Sequence, residues 1–268
     1  MSVIALSVLD LSLAALLVAA LAVVAHGLRL GLGRRLLLGA LRTTLQLLLI
    51  GLVLKVLFEN AGLGWIALLA LIMLLVAGRE VMARQQRRFG GPWGFGLGTA
   101  SMFLSSFTVT LFALIAVIGT TPWWQPQYAI PLLGMLLGNT MNGVSLGLDR
   151  LTSGAFQQRA VIETRLALGH TAVQAIGAIR RDAVRVGMVH IMNAMAAAGI
   201  VSLPGMMTGQ ILAGTPPMEA VKYQILIMFL IAAGTGFGTV AAVWFGARRL
   251  FDERERLRLD RLSHPRTR

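Results

Sequence analysis

Apolar and polar positions in this chain fall into long blocks. Apolar blocks cover 3–25, 36–58, 61–78, 97–118, 129–148, 186–206 and 221–247. Most are close to the roughly 20 residues that a helix needs to cross about 30 Å of hydrocarbon. Each is read as a membrane-spanning helix. The stretch VSLPGMMTGQILAG, at 201–214, interrupts the pattern with a serine, a proline, glycines, a threonine and a glutamine. Pro204 has no N–H to donate and disfavours helical geometry at Leu203. Gly205 and Gly209 permit turns that other residues resist. A break at membrane depth persists only inside protein or beside a water-filled cavity. Residues 202–210 are therefore expected to end the sixth span early, near its outer side. Freed backbone carbonyls, with Ser202, Thr208 and Gln210, would offer oxygens there, and Met206 and Met207 would offer apolar bulk or soft contacts. The segment reads as the outer gate of a translocation path, or as an outer loop that re-enters the interface.

Composition supports the spans. Of 268 residues, 56% are hydrophobic and 13% charged, against about a quarter charged in soluble domains. Mean hydropathy is +0.76. The expected fold is an all-α polytopic membrane protein with seven transmembrane helices. Residues 1–249 form the membrane domain and 250–268 a charged tail, read as a solvated helical extension that frays. The formal net charge is +13, yet the basic residues lie between apolar blocks, so topology explains them and nucleic acid is not an expected partner. Arginines fill 26–35, 79–96, 149–185 and the tail, while 119–128 has no charge. The alternation puts the N-terminus outside and the C-terminus in the cytosol. The first block has no basic front and is expected to be a retained span. With no cysteine, disulfides and thiolate metal sites are excluded.

The longest polar connection is 149–185. Thr171 with Gln174 three residues on makes a capping-box pattern, and Gly169 stands where a preceding helix would end in a left-handed residue. Val173, Ile176, Ile179 and Ala183 then recur at helical spacing. The segment reads as helix, glycine turn, helix, with the second helix entering span six.

Within the spans, polar residues are the candidates for chemistry. Asn139 and Asn142 share a helical face, and offer carbonyl oxygens to a cation or tie span five to a neighbour. His190 and Asn193 lie among Met188, Met192 and Met195. Imidazole and thioether suit transition metals, although methionine also serves as adaptable packing. Asp10 lies in span one, where an acid is a candidate for ion handling. His190, Met192, Asn193 and Asp10 are thus the metal candidates. Ser101, Ser105 and Thr108 are expected to pack span four closely. Gly234, Gly238, Ala242 and Gly246 form a small-residue stripe suited to helix contact, including a dimer interface.

Three stretches carry a family resemblance: RTTLQLLLIGLVL (42–54), GMLLGNTMNGVSLGL (134–148), and VSLPGMMTGQILAG with KYQILIMF (222–229). Over about 10–249 the chain resembles the FetB-type iron-export ABC transporter permeases, which include a plant aluminium-tolerance relative. In the coupling loop of ABC permeases a Glu-Ala-Ala, Gly, Ile-x-Leu-Pro pattern recurs. Glu163, Gly169 and Ile179 stand at that spacing, with Thr171 capping the second helix. Thr164 and Arg165 replace the alanines, and Arg181 and Asp182 replace the Leu-Pro. The resemblance implies a permease in a bacterial inner membrane that exports a metal ion such as iron. It also implies a homodimer served by a separate ABC ATPase subunit, which holds ATP and Mg.

The chain itself binds no cofactor on this reading. Its two lysines, Lys55 and Lys222, do not follow glycine, so it has no P-loop. No H-E-x-x-H or G-x-S-x-G motif marks it as an enzyme. The rival is an ion-coupled secondary transporter of a small cation or solute, which needs intramembrane acids; Asp10 is the only acid clearly inside a predicted span.

Overall fold

The computed structural model describes residues 7–59 and 62–263. The first positions of the predicted spans one and three, and residues 264–268 of the tail, lie outside the described residues. Among the described residues there is no β-strand. Helices run α1 Val8–Gly27, α2 Gly33–Glu59, α3 Leu63–Arg84, α4 Pro92–Met102, α5 Thr108–Phe112, α6 Pro126–Gln157, α7 Arg159–Ala167, α8 Ala172–Ala175, α9 Gly177–Ala197, α10 Gly205–Leu212 and α11 Pro217–Arg249. The chain divides into two compact units, one of residues 1–62 with 212–215 and one of 63–211 with 216–268.

The first unit is a helical hairpin of α1 and α2. Ser7 caps α1: its hydroxyl accepts from the Asp10 N–H at 3.3 Å, and the Asp10 carboxylate accepts from the Ser7 N–H at 2.8 Å. Gly33 allows the return of the chain, since a Cβ there would lie 3.0 Å from the Ala22 carbonyl oxygen. In α1 only Ala22 and Ala25, and in α2 only Leu57, are buried. Hairpin faces this apolar and this exposed match a lipid surrounding.

The second unit is built around α6, which packs against α3, α9, α11 and α4. At 32 residues and 1.5 Å per residue, α6 is about 48 Å long, so one end stands clear of the hydrocarbon. Two apolar clusters fill the unit. One joins Val81, Leu148, Leu151, Ile162, Ile176, Val243 and Leu250; the other joins Leu114, Leu132, Leu136, Ile191, Ile227 and Ile231. Where α6, α9 and α11 meet, glycines let the backbones touch. A Cβ on Gly187 would sit 2.7 Å from the Gly143 carbonyl oxygen and 2.5 Å from Thr239 Cγ2. The stripe Gly234, Gly238, Ala242 and Gly246 packs inside the unit: Cβ atoms on the three glycines would meet Leu136, Thr140 with Ser105, and Leu148 with Leu151. This stripe is used within one chain and is not free for a dimer contact.

Among the described residues, six helical stretches are long and apolar enough to cross a membrane: α1, α2, α3, Pro92–Ile118, α6 and α11. The span expected at 186–206 differs. α9 carries Arg180, Arg181, Asp182 and Arg185 in its first half and stops at Ala197. Ala198 turns extended and Gly199 has φ +83°. The break thus begins before Pro204, and residues 205–212 are helical, where 202–210 had been expected to be irregular. Ala197 takes up the interruption, its carbonyl accepting from Val201 at 3.0 Å and Ser202 at 3.2 Å.

Span four also departs from expectation. Phe103–Phe107 and Ala113–Ile118 are π-helical. Each π-turn adds residues per turn and rotates the face. Ser101 and Ser105 are buried as expected, but Thr108 is exposed, and Ser106 and Thr110 turn inward.

The tail 250–263 is not a helical extension. It folds back, with Phe251 bridged to Leu257 and Leu262 to Phe89. Gly90 donates to the Arg261 carbonyl at 2.9 Å and Ser263 to the Arg88 carbonyl at 2.8 Å. The Arg261 guanidinium donates to the Arg249 and Phe251 carbonyls at 2.7 and 3.0 Å. A cation on those final carbonyls stops α11 where it ends.

Candidate transport path and coupling site

The polar connection after α6 folds as its capping signals predict. α7 ends at Ala167 with Leu168 as its cap, Gly169 adopts φ +86°, and the His170 N–H donates back to the Arg165 carbonyl at 3.1 Å. Thr171 Oγ1 accepts from the Gln174 N–H at 3.4 Å, and Gln174 Oε1 accepts from the Thr171 N–H at 3.0 Å. A guanidinium N–H of Arg165 donates to the Ala175 carbonyl at 3.2 Å, fastening α7 to α8. Ile162, Ile176 and Ile179 are buried in the core shared with α6 and α11. Glu163 is exposed and pairs with Arg159 at 2.8 Å. Of the predicted helical repeat, Val173 faces out. With Val161 and Leu168 it leaves apolar side chains exposed on the polar connection, Leu168 at 74%. Glu163, Gly169 and Thr171 thus share one hairpin, while Ile179 anchors it.

The structure adds a contact from the tail: Glu255 Oε2 accepts from the Ala172 N–H at 3.2 Å, at the first turn of α8. Asp252 organises that tail. The Arg256 N–H, first, then the Arg256 guanidinium and the Arg254 N–H hold its carboxyl down at about 2.

The pathway candidates are distributed over α6 and the α9–α10 break. Asn139 is half-buried and its amide N–H donates to the Met135 carbonyl at 2.9 Å. Asn142 Oδ1 accepts from the Arg84 guanidinium. That oxygen is engaged by a cation already. Ser202 is exposed in the break, and Met206, Met207, Thr208 and Gln210 lie on α10. Thr208 Oγ1 donates to the Pro204 carbonyl at 3.2 Å, whereas Gln210 Oε1 is buried without a partner among the described residues.

The metal candidates are divided between the two units, Asp10 in the first and His190, Met192 and Asn193 in the second. Asp10 serves the cap of α1, through Ser7. His190, Met192 and Asn193 lie on the exposed side of α9. Among the described residues no three His, Cys, Asp or Glu side chains form a metal-holding group.

Sequence reasoning missed two polar features. α3 runs to Arg84, past the expected end at 78, so Glu80 lies on a spanning helix and faces Arg84 at 3.9 Å. The apolar or small residues Leu74, Ala77, Gly78 and Val81 at helical spacing are the sequence signal that could have extended it. The second feature is a set of buried oxygens, of Ser106, Thr140, Gln224, Thr235 and Thr239, that have no hydrogen-bond partner among the described residues. Thr235 and Thr239 stand four apart on the glycine-rich face of α11.

Comparison with known proteins bears on this arrangement. The group described as "Uncharacterised protein family (UPF0014)" matches residues 8–251. The chain belongs to the UPF0014 family. Among UPF0014 relatives, a UPF0014 membrane protein of Synechocystis sp. is 41% identical, covering 81% of this chain and 83% of its own. The "Probable iron export permease protein FetB" of Escherichia coli is 30% identical over 95% of this chain and 96% of its own. The "Protein ALUMINUM SENSITIVE 3" of Arabidopsis thaliana is 33% identical over 86% and 81%. No solved structure matches. The resemblance drawn from the three motifs therefore extends over nearly the whole chain, and this UPF0014 protein is an integral membrane protein of multiple apolar helices.

Proposed function

We propose that this chain is the membrane permease subunit of an ABC transporter that exports a metal ion such as iron, driven by a separate ATPase. The observation that carries the reading is the α7–α8 hairpin. It is polar in sequence, bears exposed Val161, Leu168 and Val173, and is continuous with two long helices, α6 and α9. An apolar face on a rigid element outside the membrane suits the groove of a soluble partner, and α6 and α9 would carry the partner's motion inward. The name of the Escherichia coli relative supports export of iron.

In this reading the arginine-rich side is cytosolic, the membrane is the bacterial inner membrane, and ATP with Mg resides on the partner. Two copies of the chain form the transporter, and the second copy or a water path covers His190, Met192 and Asn193. The ion meets oxygens such as those of Asn139 and Gln210 in passing. An ion-coupled carrier would draw on intramembrane acids. Asp10 is bound in a helix cap and Glu80 lies beside Arg84, which favours the ATP-driven reading.

The test is affinity purification of the full chain with its partners. Leu168→Asp and Val173→Asp together should remove a co-purifying nucleotide-hydrolysing subunit while the permease stays monodisperse. Retention of that subunit by the double variant would overturn the docking assignment.

A further inference from the structure

Between α9 and α11 lies an open cavity of about 340 Å³ lined by Arg180, Arg181, Val184, Arg185, Val240, Val243 and Trp244. Three arginines and no carboxylate contribute to its wall. Asp182, the nearest acid in sequence, is held by Arg150. Arg181 and Arg185 have no carboxylate within ion-pair distance among the described residues. The Arg180 guanidinium lies over the Trp244 ring, 4.7 Å from its centre, which fixes its position.

The neighbouring cavity makes the contrast. It shares Arg180 and Trp244, but Asp252, Glu253 and Glu255 stand there against Arg180 and Arg248. Of these two, the α9–α11 cavity is the one lined by arginines without a carboxylate.

Its floor is apolar, and the apolar surface continues along α11. Val240 is 48% and Phe237 65% exposed, about one and two turns beyond Trp244. Trp244 itself stands one turn before the Arg248–Arg249 end of a spanning helix, the level at which tryptophans meet the lipid headgroups. Basic pockets between helices at that level attract anionic headgroups, while the valine and phenylalanine surface below suits an acyl chain.

We propose that this cavity binds an anionic phospholipid, its phosphodiester held by Arg180, Arg181 and Arg185 and one chain laid along Val240 and Phe237. The site goes beyond the permease reading and needs no ATPase partner.

Trp244 provides the readout. A full-length variant keeping only this tryptophan, with Trp65, Trp93, Trp123 and Trp124 changed to Phe, is placed in phosphatidylcholine vesicles. Dibrominated phosphatidylglycerol or dibrominated phosphatidylcholine is added at equal mole fraction. The anionic quencher should be preferred about five- to thirtyfold, the effect of one or two arginines at a membrane surface. Arg181→Gln with Arg185→Gln should bring the preference close to one, and the corresponding double change to Lys should keep most of it. Equal quenching by the two lipids, or an unchanged preference in the glutamine variant, would overturn the proposal. Loss of the preference on adding inorganic phosphate would overturn it too, in favour of a soluble phosphate site. Native mass spectrometry of the unaltered protein gives a second reading: phosphatidylglycerol should remain bound to it and not to R181Q/R185Q, and equal retention would refute the site even if the multiple tryptophan variant failed to fold.

Discussion

At the scale of single residues, Gly169 and Thr171 define the α7–α8 hairpin by different physics. Gly169 sits at φ +86° with open space where a Cβ would go, so a substitution there costs backbone strain alone, about 1–2 kcal/mol. Asparagine tolerates this region and valine does not. Gly169→Asn should therefore leave hydrogen exchange across 166–175 near that of the parent, and Gly169→Val should accelerate it. Thr171→Ala removes the side-chain cap of α8, worth about 1 kcal/mol, and should loosen the same amides without disturbing the spans. Both features are written in local sequence, which is why the hairpin could be read before its structure. Asn142 could not be read that way. Its partner Arg84 is 58 positions distant, and no local pattern reports such a contact.

Asp252 adds a pH dependence at this scale. Its carboxyl is depressed to about 2 from an ordinary value of 3.8 by the Arg256 and Arg254 donors. A depressed folded value means that the stabilisation is complete above about 4 and is lost as pH falls through about 2. Trypsin cleavage after Arg254 and Arg256, assayed on the full chain at neutral pH, should be slow in the parent and faster in Asp252→Asn. Equal cleavage rates would detach the tail's fold-back from this carboxylate.

At the scale of elements, the positions of apolar blocks were legible and their ends were not. The sixth block was expected to break at its proline. The helix instead stops at Ala197, and α10 begins immediately after Pro204, where a missing N–H costs nothing. The tail's charges suggested a helix, yet Leu257 and Leu259, two apart, match an extended strap, and both pack against the core. The π-turns of span four leave no mark in the apolar pattern and moved Thr108 to the surface. The glycine stripe was legible as a contact, but only the structure assigns it to α6 and α4. A separate close approach joins Gly187 of α9 to Gly143 of α6. Gly187→Ala would force a methyl to 2.7 Å from the Gly143 carbonyl, and a backbone neighbour cannot rotate away. The expected loss is about 1–3 kcal/mol, measurable as a lowered Tm in detergent, with the α7–α8 hairpin unaffected.

At the scale of the molecule, α9 and α10 decide whether the chain crosses the membrane six or seven times. The residues of α9 beyond Arg185 rise about 18 Å and the eight residues of α10 about 12 Å. Laid end to end they match about 30 Å of hydrocarbon, with the hydrogen-bonded break at 198–204 between them. A crossing made of two half-helices has a physical consequence that a continuous span lacks: its midpoint carries polar backbone, which must face protein or water. The absence of cysteine makes the question accessible, because a single introduced thiol has no competitor. Cysteines at Leu168 and Ser263 should react with an impermeant maleimide only from the cytosolic side, and cysteines at Thr121 and Thr215 only from the opposite side. If Leu168 and Thr215 were labelled from the same side, α9 and α10 would form a re-entrant element, and the seven-span topology with opposed termini would give way to six.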